Sequence, residues 1–296
     1  MGIDESELRD ANYAANGIRI HAAEAGPPAG PAVILLHGFP EFWYGWRHQI
    51  GPLAAAGFRV IAPDQRGYNT SDKPGRVADY ALDVLAADVV GLIEAAGLER
   101  ASLVGHDWGG LVAWWVAARH PERVERLAIL NAPHPAAYRR VLRSSPKQWL
   151  KSWYVAFFQV PKLPEALSRL RGWRAMADGM RASSRPGTFS EADFDRYREA
   201  WSRPGAITAM INWYRALVRE GPPTPEDARI RVPTRILWGA NDRFIERRAA
   251  ADSLALCDRG ELEMVEGATH WLQHEEPELV NRRLIEFLSG DAPPRG

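Results

Sequence analysis

Through its first 131 residues the chain alternates short runs of β-branched and leucine-rich residues with longer amphipathic segments, and that alternation restricts the fold more than any single motif. The runs at 18–24 (I-R-I-H-A-A-E), 32–37 (A-V-I-L-L-H), 58–63 (F-R-V-I-A-P), 101–105 (A-S-L-V-G) and 126–131 (R-L-A-I-L-N) are bounded by turn residues and have strand length. Apolar strands separated by helical crossovers belong to a mostly parallel sheet covered on both faces. Between them, 81–96 places Leu82, Leu85, Val89, Leu92 and Ile93 on one helical face, with Gly97 as a stop, and so predicts a helix covering one side of that sheet.

The alternation ceases after N-A-P-H-P (131–135). From 136 to 228 the chain is rich in Arg, Trp, Tyr and Pro and reads as helices and loops. Strands return at 234–239 (T-R-I-L-W-G) and 261–266 (E-L-E-M-V-E), followed by a closing helix, P-E-L-V-N-R-R-L-I-E-F-L. A length of 296 residues suits one α/β core with an insertion, so the expected organisation is a core of 1–135 and 229–296 carrying a helical lid at 136–228. There is no repeat, and the tail D-A-P-P-R-G reads as frayed.

Lys and Arg number 37 and so do Asp and Glu, with no long basic run, which argues against nucleic acid or an anionic membrane as partner and for a small uncharged molecule. The balance leaves the oligomeric state open. A single cysteine, Cys257, excludes an internal disulfide framework and fits a reducing compartment, so a cytoplasmic location is expected. The opening M-G-I-D-E-S-E-L-R-D has neither a basic nor an apolar signal region; its M-G-x-x-x-S letters match a permissive acylation pattern, read here as chance beside the acidic Asp4 and Glu5. Every long hydrophobic stretch is broken by charge or glycine short of the roughly 18 residues a membrane helix needs.

The strand at 101–105 runs into G-H-D-W-G-G (105–110) and then a helical segment, which is the G-x-Nu-x-G pattern of a nucleophile elbow with Asp107 as Nu. Small neighbours let that side chain stand clear, and the helix start keeps it ionised. Read alone, Asp107 is equally a helix cap. The partners it would need are present in the required order. Asp242, in W-G-A-N-D-R-F-I after the penultimate strand, supplies an acid, although by itself it reads as a turn residue. His270, in E-G-A-T-H-W-L-Q-H after the last strand, supplies a base. His274 is the alternative base, at the start of the final helix, where a solvated side chain is expected; Asn131, at the other position an acid could occupy, is no acid. The loop H-G-F-P (37–40) places the Phe39 amide to join that of Trp108 in an oxyanion hole. P-D-Q-R-G-Y-N-T-S-D-K-P (63–74) reads as structural, with Asp64 and Arg66 bracing strand ends. No Cys/His cluster or phosphate-binding glycine loop implies a metal or cofactor.

With H-G-F-P, P-D-Q-R-G-Y, G-H-D-W-G-G, N-A-P-H-P, I-N-W-Y-R and A-T-H-W in this order, the chain resembles the epoxide hydrolases of the α/β-hydrolase superfamily over essentially its whole length. The resemblance implies the α/β-hydrolase fold, a mostly parallel central sheet flanked by helices with a cap, and no metal or cofactor. It implies that two lid tyrosines hold the epoxide oxygen: Tyr214 in I-N-W-Y-R, and Tyr154 in S-W-Y-V-A-F-F-Q-V-P, with Tyr197 as a spare on what looks like an exposed helical face. It further implies a small apolar epoxide and water as partners, in a pocket where Phe39, Trp108, Trp213 and Trp271 are expected to touch substrate. A carboxylate attacking saturated carbon leaves an ester that His270 and Asp242 can hydrolyse, whereas serine would leave an ether. Haloalkane dehalogenases share the aspartate strategy and the Trp after it; paired phenols suit a departing alkoxide rather than a halide, and many dehalogenases carry Asn where Phe39 stands. Fluoroacetate dehalogenases place Arg at the position of Trp108. A silent hydrolase-fold protein that only binds a ligand is the remaining reading, against which the complete triad speaks.

Overall fold

The computed structural model describes residues 8–221 and 228–290. The M-G-x-x-x-S letters and the D-A-P-P-R-G tail lie outside the described residues. Eight strands form one sheet: β1 (Arg9–Ala15), β2 (Ile18–Ala25), β3 (Ala32–Leu36), β4 (Arg59–Pro63), β5 (Ala101–His106), β6 (Val124–Leu130), β7 (Thr234–Gly239) and β8 (Gly260–Val265). Their order is β1-β2-β4-β3-β5-β6-β7-β8. β2 pairs antiparallel with β1 and with β4, and every pairing from β4 across to β8 is parallel.

β1 has no counterpart in the apolar runs. Its sequence R-D-A-N-Y-A-A has one large apolar residue, Tyr13, because an edge strand exposes much of its surface. The hairpin to β2 turns at Asn16 and Gly17, both at positive φ (46° and 76°), so the signal for it was the Asn-Gly pair rather than hydrophobicity.

β3 lies between β4 and β5, so the chain leaves β3 toward one edge of the sheet and returns on the other side of it. Loops diverging at such a switch point open a crevice at the carboxyl ends of the strands. That topology puts the 37–40 loop beside the turn after β5.

The core helices are α1 (Ile50–Ala55), α2 (Leu82–Ala95) and α3 (Trp108–Arg119). The expected face of α2 (Leu82, Leu85, Val89, Leu92, Ile93) is buried throughout. α3 is buried nearly all round, with Val112, Trp114, Trp115 and Val116 sealed from solvent, so truncating either indole to Ala would cost about 3–5 kcal/mol.

Between β6 and β7 lie α4 (Pro135–Ser144), α5 (Pro146–Lys151), α6 (Trp153–Phe157), α7 (Leu163–Ser183), α8 (Glu191–Ser202) and α9 (Ala206–Arg219), with no strand among the described residues. α7 is broken at Leu170–Trp173, where Arg171, Gly172 and Trp173 have positive φ. Indole donors tie this helical layer to the loops beneath it: Trp201 Nε1 to the Pro40 carbonyl at 2.6 Å and Trp213 Nε1 to the Arg66 carbonyl at 3.0 Å. After β7 the chain forms α10 (Arg248–Leu254), β8, α11 (Leu272–Glu275) and α12 (Pro277–Leu288). No described helix is long and apolar enough to cross a membrane.

Candidate active site

The turn joining β5 to α3 forces Asp107 to φ 51° and ψ −119°, a conformation that costs a non-glycine residue on the order of 1–3 kcal/mol. It is possible only among small neighbours. A Cβ on Gly109 would lie 2.1 Å from the Leu36 carbonyl oxygen, and one on Gly38 would lie 2.5 Å from the Asp107 Cβ. The Asp107 carboxylate therefore projects between the ends of β3 and β5, where its Oδ1 accepts the Phe39 N–H at 2.9 Å.

His270, on the loop between β8 and α11, brings Nε2 to 3.5 Å from Asp107 Oδ2 and Nδ1 to 2.9 Å from Asp242 Oδ2. Asp242 is buried and fully satisfied: Oδ1 accepts the Phe244 and Ile245 N–H groups at 2.7 and 3.0 Å, and Oδ2 also accepts Asn131 Nδ2 at 2.8 Å. Burial opposes ionisation of Asp242, but His270 and these donors outweigh it and hold the carboxyl below its usual range. Burial likewise opposes charge on His270; Asp242 and Asp107 outweigh it and raise the imidazole pKa to about 10. The two flanking aspartates thus favour the imidazolium form of His270.

Above Asp107 lies a cavity of about 830 Å³ lined by Asp107 and His270 together with Phe39, Tyr154, Tyr214 and Trp271. The two phenol rings stand 5.8 Å apart, and Tyr214 packs edge-on against Phe39 and Trp108 at 5.2 and 4.9 Å. Burial, with Asp107 nearby, pushes both phenols well above their ordinary pKa, so they remain O–H donors. Trp108 stands to one side of this cavity, at the start of α3, where its N–H is among those without an intrahelical acceptor. Trp213 is packed against Trp108 and Tyr68 and is not among the residues lining the large cavity, contrary to the expectation of substrate contact. Among the described residues no group of three or more His, Cys, Asp or Glu side chains could hold a metal ion.

Residues 31–277 match the family model for the alpha/beta hydrolase fold. Epoxide hydrolase 2 of Caenorhabditis elegans is 39% identical, over 93% of this chain and 78% of that protein. The chain belongs to the epoxide hydrolases of the α/β-hydrolase superfamily. The crystal structure of a Bacillus megaterium epoxide hydrolase in complex with an inhibitor superposes with a TM-score of 0.86 at 30% identity, covering 94% of this chain and all of that one. AB hydrolase superfamily protein YfhM of Bacillus subtilis (strain 168) is 49% identical, over 92% of this chain and 95% of its own length.

Beneath this epoxide hydrolase site lies a buried polar cluster that the sequence reading did not assemble. Glu41, one residue past H-G-F-P, is sealed from solvent and accepts Tyr197 Oη at 2.7 Å, His274 Nε2 at 2.8 Å and Gln273 Nε2 at 3.2 Å. A guanidinium only donates, so Arg47 Nη1, 3.0 Å from His274 Nδ1, leaves the His274 proton on Nε2, facing Glu41. Gln273 also donates to His106 Nδ1 at 3.1 Å, which turns the His106 Nε2–H toward the His270 carbonyl at 2.9 Å. The cluster thereby fixes the backbone that carries His270. Two expectations are corrected here: His274 is buried in this network rather than solvated, and Tyr197 is buried on Glu41 rather than on an exposed face. The signal available was the E directly after the H-G-F-P loop and the H directly before Asp107.

Two further residues gain roles as supports. Asn131, at φ 44°, fastens Asp242 to β7 by donating to its carboxylate and accepting the Gly239 N–H at 2.9 Å. Arg66 makes a two-pronged ion pair with Asp88 of α2 at 2.6 Å, which anchors the 63–74 loop as expected of a structural segment.

Proposed function

We propose that this chain hydrolyses apolar epoxides to vicinal diols through an ester on Asp107, with residues 136–228 as the lid over the reacting groups. One observation carries the reading: a carboxylate, a histidine–aspartate pair and two phenols that stay protonated converge on a single apolar cavity. Asp107 Oδ1 is engaged by the Phe39 amide, so Oδ2 is the attacking oxygen and Oδ1 becomes the ester carbonyl. As the C–O bond of the ring breaks, Tyr154 and Tyr214 donate to the departing oxygen, each worth on the order of 10²-fold by the measure of other oxyanion donors.

The proton balance follows from the charge on His270. Alkylation removes the Asp107 charge that helps to hold His270 protonated, so the imidazolium releases a proton as the alkoxide, through the phenols, gains one. The imidazole left behind is the base that the second step requires. It takes a proton from water attacking the ester carbonyl, while the Phe39 and Trp108 amides stabilise the tetrahedral oxyanion. Collapse releases the diol and restores the carboxylate and imidazolium. Substrate, water and these side chains complete the cycle, which calls on no metal or cofactor.

A single turnover in ¹⁸O-labelled water, with enzyme in excess over a styrene-type epoxide, tests the reading. The first diol should carry unlabelled oxygen drawn from Asp107; full label in it would mean direct attack by water. Halide release from haloalkanes without diol from any epoxide would instead assign the aspartyl ester to dehalogenation.

A further inference from the structure

The chain's neutral total conceals a segregation of charge. Residues 135–183 contain ten Lys and Arg against two acids, leaving the rest of the chain with an equal excess of negative charge. One of those two acids, Glu165, is buried on Arg215 and adds nothing to the outer field. Six of the cations, Arg140, Arg143, Lys147, Lys162, Arg169 and Arg171, are exposed, and among the described residues none has a carboxylate partner.

The same helices expose the largest apolar side chains of the molecule. Trp149, Leu150 and Trp153 are 68%, 77% and 65% exposed, and Leu163 and Leu167, one turn apart on α7, and Leu170, at its break, are exposed as well. Trp149 gives its indole N–H to the Leu142 carbonyl in the last turn of α4, so the ring left facing solvent is apolar. Leu150, Trp153 and Leu167 also line the large cavity, as do Lys147 and Arg243, so this surface is the cavity mouth.

We propose that this face docks on an anionic lipid bilayer, with the tryptophan and leucine side chains in the headgroup boundary and the cations on lipid phosphates. Exposed apolar patches rimmed by charge mark interaction sites, and interfacial tryptophan with Lys and Arg is the composition that bilayer surfaces select. An acidic protein or nucleic acid would use the cations and leave the leucines in water. A second copy would set this positive face against itself. Docking of this kind lets an apolar substrate pass from lipid into the cavity without crossing water; that consequence rests on the epoxide reading, whereas the docking does not.

The test is co-sedimentation of the full chain with sucrose-loaded vesicles of phosphatidylcholine alone, or of equal parts phosphatidylcholine and phosphatidylglycerol, at low and high salt. Binding should appear with the anionic vesicles and weaken with salt. Trp149→Ala, and separately the pair Arg140→Glu and Arg143→Glu, should each lower the partition constant about 10-fold or more while leaving hydrolysis of a water-soluble epoxide unchanged. No partition onto anionic vesicles at low salt would overturn the proposal. So would equal binding to neutral vesicles, or a dimer in light scattering that Trp149→Ala dissolves. Because partition is read without turnover, a chain that binds vesicles yet opens no epoxide would sink the epoxide reading alone.

Discussion

Replacing Asp242 with Asn separates the two halves of the proposed cycle. The Asp242 carboxylate receives four N–H groups, two on each oxygen: Phe244 and Ile245 on Oδ1, His270 and Asn131 on Oδ2. An amide can accept at one end only, so either orientation points its own N–H at two buried donors. With the NH₂ toward Phe244 and Ile245 the turn after β7 opens, at about 1–3 kcal/mol of stability. With the NH₂ toward His270, the imidazole must move its proton from Nδ1 to Nε2 and can no longer take one from water. A comparable loss of the orienting carboxylate in serine protease triads costs about 10⁴-fold, or roughly 5.4 kcal/mol of barrier. The cost should fall on ester hydrolysis, because attack by Asp107 needs no base. Rapid quench followed by intact-protein and peptide mass measurement should therefore find Asp242→Asn loaded with one substrate equivalent at Asp107, while wild type shows little. Steady-state turnover within about 10-fold of wild type, or slow turnover with no adduct at Asp107, would refute the division of labour.

Tyr154→Phe and Tyr214→Phe should each slow adduct formation about 10²-fold in single-turnover quench experiments, and the double variant should lose less than the product, since both donors serve one oxygen. Unchanged adduct formation in both would remove the phenols from the mechanism. Gly38→Ala should cut the same rate by at least about 10-fold with secondary structure intact by circular dichroism, because the added methyl meets the Asp107 Cβ at 2.5 Å; wild-type kinetics would show that the elbow yields. His270 has a folded pKa raised to about 10, so its contribution to stability is complete below its unfolded value of about 6.5 and is lost as pH rises through 10. Urea unfolding across that window should show stability falling with pH, and His270→Gln should flatten the slope; an unchanged slope would mean that His270 carries no such charge.

The parts of this molecule that were legible in its sequence are those in which function or burial imposes a local pattern. Strands β3 to β7 carry apolar runs because that parallel part of the sheet is covered on both faces. The elbow is readable because only glycine fits at 105, 109 and 110, and Asp242 and His270 because the fold fixes where after β7 and β8 they must stand. What stayed hidden lacks a period. β1 is an edge strand whose one signal was an Asn-Gly turn, and Glu41, His106, Tyr197 and the Gln273–His274 pair come from four separate places in the chain. Each of those five, taken singly, has the composition of a solvated residue, because polarity in sequence does not distinguish a group facing water from one whose partner arrives from elsewhere. Arg47 makes the point: its charge is buried between Asp193 and His274, while Arg140 and Arg143 meet solvent, and no local pattern separates the two cases. The same limit applies to a net charge of zero as a guide to partners. A total records how many charges there are, and binding depends on which of them the fold gathers on one face and leaves without a counterion.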